Sequence, residues 1–247
     1  MFISASSGCF RELRFEEACR HIVDLEYDRI DIWLDENSNH LKPSEVAADP
    51  ESFVLRYREV SRLTPVAFTL NHDVSPDIIK GICKTAQLLR FTQVTVPASP
   101  LGTPFNSEID RLREFVGIAN EAGIRLSIHT KNGTVTEDPQ TAVELCQSVR
   151  GLGLTIDPSY LLTGPHRGQS WDPLYPYIFH ALLRDSTEKD VQVQVGLGEV
   201  DYARLISQLE RENYRRSLSV DFYPDLMDEQ TRPLEMRKIR LLLETLV

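Results

Sequence analysis

The chain has 247 residues, 41% hydrophobic and 26% charged, close to the length of one (β/α)8 barrel and ordinary for a globular domain. A formal net charge of −10 and no basic stripe argue against a nucleic-acid partner, which needs grouped Lys and Arg to neutralise phosphates. No apolar run approaches the ~18 residues of a membrane span, and the opening MFISASSGCF reads as a strand and not as a signal peptide.

The apolar runs are short and alternate with longer amphipathic segments, the order expected of parallel strands joined by crossover helices. The first strand is expected at Met1 to Ser6, and a helix from Phe15 to Leu25 places Ala18, Ile22 and Leu25 on one face. RIDIWL, Arg29 to Leu34, is the second strand; a helix spans Pro50 to Leu63, and Val66 to Leu70 is the third strand. A helix opening at Ser75-Pro76 leads to a strand at Gln93 to Pro97. The next helix opens with a capping-box-like Ser107 to Asp110 and carries Ile109, Leu112, Val116 and Ala119 on its apolar face. The fifth strand is Ile124 to His129 and the sixth Leu152 to Asp157, with a helix opening at Asp138-Pro139 between them. A short helical stretch at Trp171 to Tyr177 precedes the seventh strand, Ile178 to Leu183. A long loop, a helix from Asp201 to Asn213, the eighth strand at Leu218 to Phe222 and a helix from Pro233 to Leu246 complete the chain.

Asp49-Pro50, Ser75-Pro76, Asp138-Pro139 and Asp172-Pro173 share one cause. A side-chain oxygen accepts a free amide hydrogen, and proline takes the first helical position, where no donor is needed. Eight strand–helix units use up the chain. The fold expected is α/β, a single (β/α)8 TIM barrel over residues 1–247. The competing open doubly wound sheet needs a glycine-rich phosphate turn after its first strand, and Ser-Ser-Gly-Cys is not one. Cys9, Cys19, Cys83 and Cys146 form no close pair and read as buried free thiols of a reducing compartment, hence a cytoplasmic protein.

With barrel strands taken as apolar inside, chemistry belongs where they end. His129, Asp157, His180 and Asp221, on strands five to eight, are the candidate metal ligands. Imidazole and carboxylate together suit a divalent Mn, Zn, Fe or Co, which would polarise a carbonyl or stabilise an enediolate. Lys131 and Asp221 are the candidate acid/base groups, and Arg184 and His72 the candidate substrate contacts. Each has a structural alternative: a satisfied core histidine for His129 and His180, a turn cap for Asp157, an ion pair with Arg184 or Lys131 for Asp221, a loop ion pair for Arg184 with Asp185, and a plain turn for His72. Trp33 and Phe68 read as barrel filling, His166 as part of a lid, and His21 and His40 as surface residues.

Three stretches, LSIHTKNGTVTEDP, LGLTIDPSYL and HALLRDS with VQVGLGEVDYARLISQL and LSVDF, resemble the xylose-isomerase-like barrels: sugar phosphate isomerases, ketose 3-epimerases and, more distantly, the endonuclease IV group. The likeness runs in order over nearly the whole chain. It implies a metal-assisted isomerase or epimerase of a small sugar-like hydroxy-carbonyl compound, and dimers or larger assemblies. Asp157, His180 and Asp185 match the family pattern. His129 and Asp221 stand where the epimerases carry two glutamates that bind metal and move protons, and Tyr160, a candidate substrate contact, stands where a histidine is usual. The departures keep two other readings open: a non-catalytic sugar- or partner-binding relative, and a metal-dependent hydrolase.

Overall fold

The computed structural model describes all 247 residues. Eight parallel strands close into a barrel: β1 (Phe2–Ser6), β2 (Arg29–Leu34), β3 (Thr64–Leu70), β4 (Gln93–Val96), β5 (Arg125–His129), β6 (Gly153–Ile156), β7 (Ile178–Leu183) and β8 (Ser217–Val220). Each strand pairs with the next, and β8 closes onto β1 with Phe2 opposite Ser217. The helices are α1 (Phe15–Asp24), α2 (Pro43–Ala48), α3 (Pro50–Val60), α4 (Pro76–Leu89), α5 (Phe105–Glu121), α6 (Pro139–Ser148), α7 (Pro158–Thr163), α8 (Tyr202–Arg211) and α9 (Arg232–Glu244). No helix is long and apolar enough to cross a membrane.

Caps set most helix starts. The side chains of Asp49, Ser75 and Asp138 accept amide hydrogens from Ser52, Ile78 and from both Gln140 and Thr141. Two expected starts differ. The helix expected from Ser107 begins at Phe105 behind Pro104, so Ser107 lies inside it. Asp172 caps nothing and sits within a short 3-10 helix, Asp172–Tyr177, that opens after Trp171.

The interior corrects the expectation of an apolar barrel. Side chains alternate across a strand, and here the outward set is apolar while much of the inward set is polar. Ile30, Ile32 and Leu34 pack outward under the helices with Phe68, Val94, Ile128, Ile156 and Val220. Ser4 Oγ lies 2.6 Å from the hydroxyls of both Ser217 and Ser219. Ser127 Oγ is 2.6 Å from Thr155 Oγ1, which meets Thr95 Oγ1 at 2.8 Å. Asp31 accepts from Thr69 Oγ1 at 3.0 Å and lies 2.8 Å from His180 Nε2. Such groups are tolerated because they satisfy one another; buried alone, each would cost roughly 1–3 kcal/mol. Phe68 thus fills the helix–sheet layer and not the lumen. His40, expected at the surface, is buried, with its ring nitrogens 2.9 Å from Leu13 O and 3.0 Å from Ser7 Oγ. All four cysteines are free and buried, and burial pushes their thiols up, that of Cys19 to about 11.

Candidate functional site at the barrel mouth

The C-terminal ends of β5 to β8 bring His129, Asp157, Arg184 and Asp221 together. The centre of the group is a cation supplied by the chain. Arg184, one residue beyond β7, has no exposed surface. Its Nη1 donates to Asp157 Oδ2 at 2.8 Å and to Ser159 Oγ at 2.8 Å. Its Nη2 donates to Asp221 Oδ2 at 2.7 Å and its Nε to the Asp221 carbonyl at 2.6 Å. Its guanidinium lies 4.0 Å from the centre of the Tyr223 ring. A planar fork between two carboxylates, stacked on an aromatic face, suits arginine and would not be matched by lysine.

Asp157 is also fully buried. Its Oδ1 caps α7 by accepting from Ser159 N at 3.1 Å and Ser159 Oγ at 2.5 Å. Its Oδ2 lies 3.3 Å from His129 Nε2. Burial would raise its carboxyl, but Arg184 and His129 outweigh that and hold it below the usual range. The cap and the ion pair coexist, because different oxygens serve them.

Around this group stand partly exposed side chains. Lys131 Nζ lies 5.9 Å from the Tyr160 ring centre, and Tyr160 Oη is 2.8 Å from Tyr223 Oη. Desolvation lowers the Lys131 ammonium below its ordinary value; Asp157 and Asp221 oppose that, and Arg184 and Arg11 add to it. Arg11, which follows β1, reaches over Trp33 and Tyr223 and pairs with Asp225. Sequence reasoning missed Arg11 and Tyr223. Their positions just beyond β1 and β8 were the available signal.

Two candidate residues stand apart. His180 lies inside the barrel, four residues before Arg184 on β7, or about 13 Å along a strand. It is bonded to Asp31 and does not join His129, Asp157 and Asp221. His72 is exposed on the rim, with Nδ1 2.9 Å from Asp35 Oδ1. Asp35 is held below the usual carboxylate range: burial acts against this, and Asn37, Asn71 and His72 outweigh it. Arg184 forms no pair with Asp185, which instead accepts amides from Gly196 at 2.8 Å and Gly198 at 3.1 Å and ties down the long loop.

A divalent ion does not fit the site as built. No three His, Cys, Asp or Glu side chains are arranged to hold one. The Oδ2 atoms of Asp157 and Asp221 already serve Arg184, and a dication among them would face a buried guanidinium. The expected four-ligand metal set is corrected to three of its members around an internal arginine.

A closed eight-stranded parallel barrel, with charged groups gathered at the C-terminal ends of β5 to β8, defines the class of (β/α)8 proteins whose sites lie at the mouth. The family model of xylose isomerase-like TIM barrels matches residues 72–243, and the chain belongs to that family. Among solved structures, it resembles a xylose isomerase-like TIM barrel protein from Mycobacterium smegmatis, determined with magnesium, at 18% identity and a TM-score of 0.79, over 99% of this chain and 97% of that one. A D-tagatose 3-epimerase-like protein matches at 16% identity and 0.77, over 100% and 98% of the two chains. The 3-keto-D-glucoside 4-epimerase of E. coli matches at 14% and 0.74, over 98% and 99%. At these identities the likeness is one of fold. No curated protein sequence matches the chain.

Proposed function

We propose that the chain is an isomerase or epimerase of a small sugar-like hydroxy-carbonyl compound that works without a divalent metal. One observation carries the reading: at the mouth, Arg184 fixes the carboxylates of β6 and β8 beside a half-buried lysine with lowered proton affinity. Family membership and epimerases of the same fold support the substrate class. In the proposed step, neutral Lys131 Nζ takes the proton from the carbon next to the substrate carbonyl. The C–H electron pair forms the carbon–carbon double bond of the enediolate as the carbonyl π pair moves onto oxygen. For isomerisation the ammonium returns the proton to the neighbouring carbon on the same face while the hydroxyl proton passes between the two oxygens. For epimerisation water supplies the proton to the opposite face and later takes up the lysine's. Arg11, partly exposed and paired with Asp225, is the cation placed to meet the enediolate oxygen; Arg184, enclosed on all sides, positions Asp157 and Asp221. Asp221 keeps one oxygen on Arg184 and contributes negative charge that favours the lysine ammonium once formed.

A second reading, binding without turnover, draws on the commitment of one oxygen each of Asp157 and Asp221 to Arg184, which holds both carboxylates in place.

One experiment separates the readings. The protein is incubated with dihydroxyacetone, D-xylulose, D-fructose and D-glyceraldehyde in deuterated buffer containing EDTA, and carbon-bound deuterium is followed by proton NMR. Exchange that survives EDTA and falls at least a hundredfold in Lys131→Ala supports proton transfer by the lysine. Exchange only after Mn or Zn is supplied refutes the metal-free mechanism. Saturable binding with no exchange establishes the second reading.

A further inference from the structure

The opposite end of the barrel carries a second group of charges, independent of the mouth. Arg90 closes α4, Arg125 opens β5, and Arg215 and Arg216 precede β8. Arg90, Arg125 and the Arg215–Arg216 pair lie far apart in sequence, so no basic stripe is visible there; the strand starts bring them to one rim. They line a cavity of about 250 Å3 with Gln93 and His180. None of the four arginines has a carboxylate within 4.0 Å, although most other charged clusters of the molecule are paired. Their hydrogen bonds go to neutral oxygens: Arg125 to Thr92 Oγ1 at 3.2 Å, Arg215 to Tyr214 O at 3.1 Å and Arg216 to Ile178 O at 3.2 Å. Burial and the neighbouring Arg125 guanidinium both lower Arg216 from its ordinary value. Uncompensated like charges at one concavity, on a chain of net charge −10, are what an anion would relieve.

A second observation comes from Gln93, which lines the same cavity. Gln93 is only 5% exposed, and its Oε1 has no hydrogen-bond partner. Its Nε2 is committed to Ser127 Oγ at 2.6 Å and Val94 O at 3.2 Å, so the amide is held in place with its oxygen free. A buried acceptor left open favours a donor, such as a hydroxyl.

We infer that the N-terminal rim of the barrel is a binding site for a small phosphate monoester that also carries hydroxyl groups, its phosphate held by Arg90, Arg125, Arg215 and Arg216 and a hydroxyl received by Gln93. Guanidinium forks bond phosphate oxygens bidentately, and a phosphate monoester brings about −1.5 to −2 charge and three acceptor oxygens against the single charge of a carboxylate. The cavity has room for a ligand of sugar-phosphate size and not for a dinucleotide.

Calorimetric titration at low ionic strength tests the site with glucose 6-phosphate, inorganic phosphate, glucose and citrate. The expected order is glucose 6-phosphate tighter than phosphate, with glucose silent and the affinity falling as NaCl is raised. Arg125→Gln with Arg215→Gln, both at exposed positions, weakens binding about tenfold or more. Arg90→Gln, on the outer rim, is the fallback if that pair fails to fold. Gln93→Leu removes the preference for glucose 6-phosphate over phosphate and leaves phosphate binding in place. No saturable binding by the native chain, citrate binding as tightly as the phosphates, or equal affinity in the arginine variants overturns the assignment.

Discussion

Replacing Arg184 with methionine tests the central claim about the mouth. Methionine keeps much of the volume and removes the charge. It leaves Asp157, fully buried, and Asp221, with its side chain 10% exposed, without their shared cation. Breaking a buried pair by deleting one partner costs about 3–5 kcal/mol. For a domain of this size that lowers Tm by roughly 10 °C. The pH dependence is more diagnostic than the size. In the native chain Asp157 lies below its unfolded value of ~3.9, so its contribution is present above that value and lost as pH falls through the folded one. Without Arg184, burial dominates and places the folded value above the unfolded one. Stability then rises as pH falls from 7 toward the carboxylate range. Urea unfolding followed by circular dichroism at pH 7, 5.5 and 4.5 should show the gap between the two proteins shrinking steadily. Arg184→Met with Asp157→Asn should recover about 1–2 kcal/mol at pH 7, since asparagine retains an oxygen to cap α7. A loss under 1 kcal/mol, or a gap constant with pH, refutes the argument.

Other outcomes follow from single contacts. Gly81→Ala should destabilise by about 1–3 kcal/mol in thermal unfolding, because a Cβ there meets the Ala47 carbonyl oxygen at 2.5 Å and drives α4 from α2. Asp185→Ala should leave the barrel folded and make the loop between β7 and α8 the first site of limited trypsin cleavage, since the amides of Gly196 and Gly198 lose their acceptor. His180→Leu should lower stability by about 1–3 kcal/mol by leaving buried Asp31 with the Thr69 hydroxyl as its one remaining side-chain partner, while deuterium exchange at the mouth stays within twofold of native. If proton transfer uses neutral Lys131, the exchange rate should climb with pH and level off below the ordinary lysine value of ~10.4, because burial depresses the ammonium.

The barrel was legible because its signal is repeated eight times. RIDIWL and IFHALL coincide with β2 and β7 to the residue, each a short and mostly apolar segment between polar breaks. The helices α2 and α7 escaped notice because six residues cover fewer than two turns, too few for an amphipathic pattern to repeat. The polar lumen was written in the sequence. Asp31 between Ile30 and Ile32, Thr95 between Val94 and Val96, and Ser219 between Leu218 and Val220 put polar groups at every second position. The premise of an apolar interior concealed this, since it assigned those residues no place. The same alternation puts His180, Leu182 and Arg184 on one face of β7 but at different depths. Residue type favoured the histidine as the functional group, whereas depth favours the arginine. The pairing of Asp221 with Arg184 was among the alternatives the residues left open; what no pattern could disclose is that the same guanidinium also takes Asp157, because that depends on three strand ends meeting.

An arginine and a divalent ion solve the same electrostatic problem in different ways. Either can hold two carboxylates together at a barrel mouth. The arginine is always present and always charged, so the charge of this site does not vary with metal supply. It is also covalently fixed, bulky and monovalent, and it has no exposed surface to offer a ligand. That leaves Lys131, and Arg11 on its exposed partner Asp225, as the groups that can respond to a ligand. The substitution has a testable reverse. Arg184→Ala empties the space between Asp157 and Asp221 and leaves His129 beside them, an imidazole and two carboxylates of the kind that binds Mn or Zn. Adding 1 mM Mn or Zn should raise the Tm of Arg184→Ala, as ligand binding to the folded state requires, and should leave the native chain unchanged. Adding Asp157→Asn to that variant should abolish the rise. Equal stabilisation of the native chain would mean that the metal binds elsewhere, and the view of Arg184 as a resident cation would lose its support.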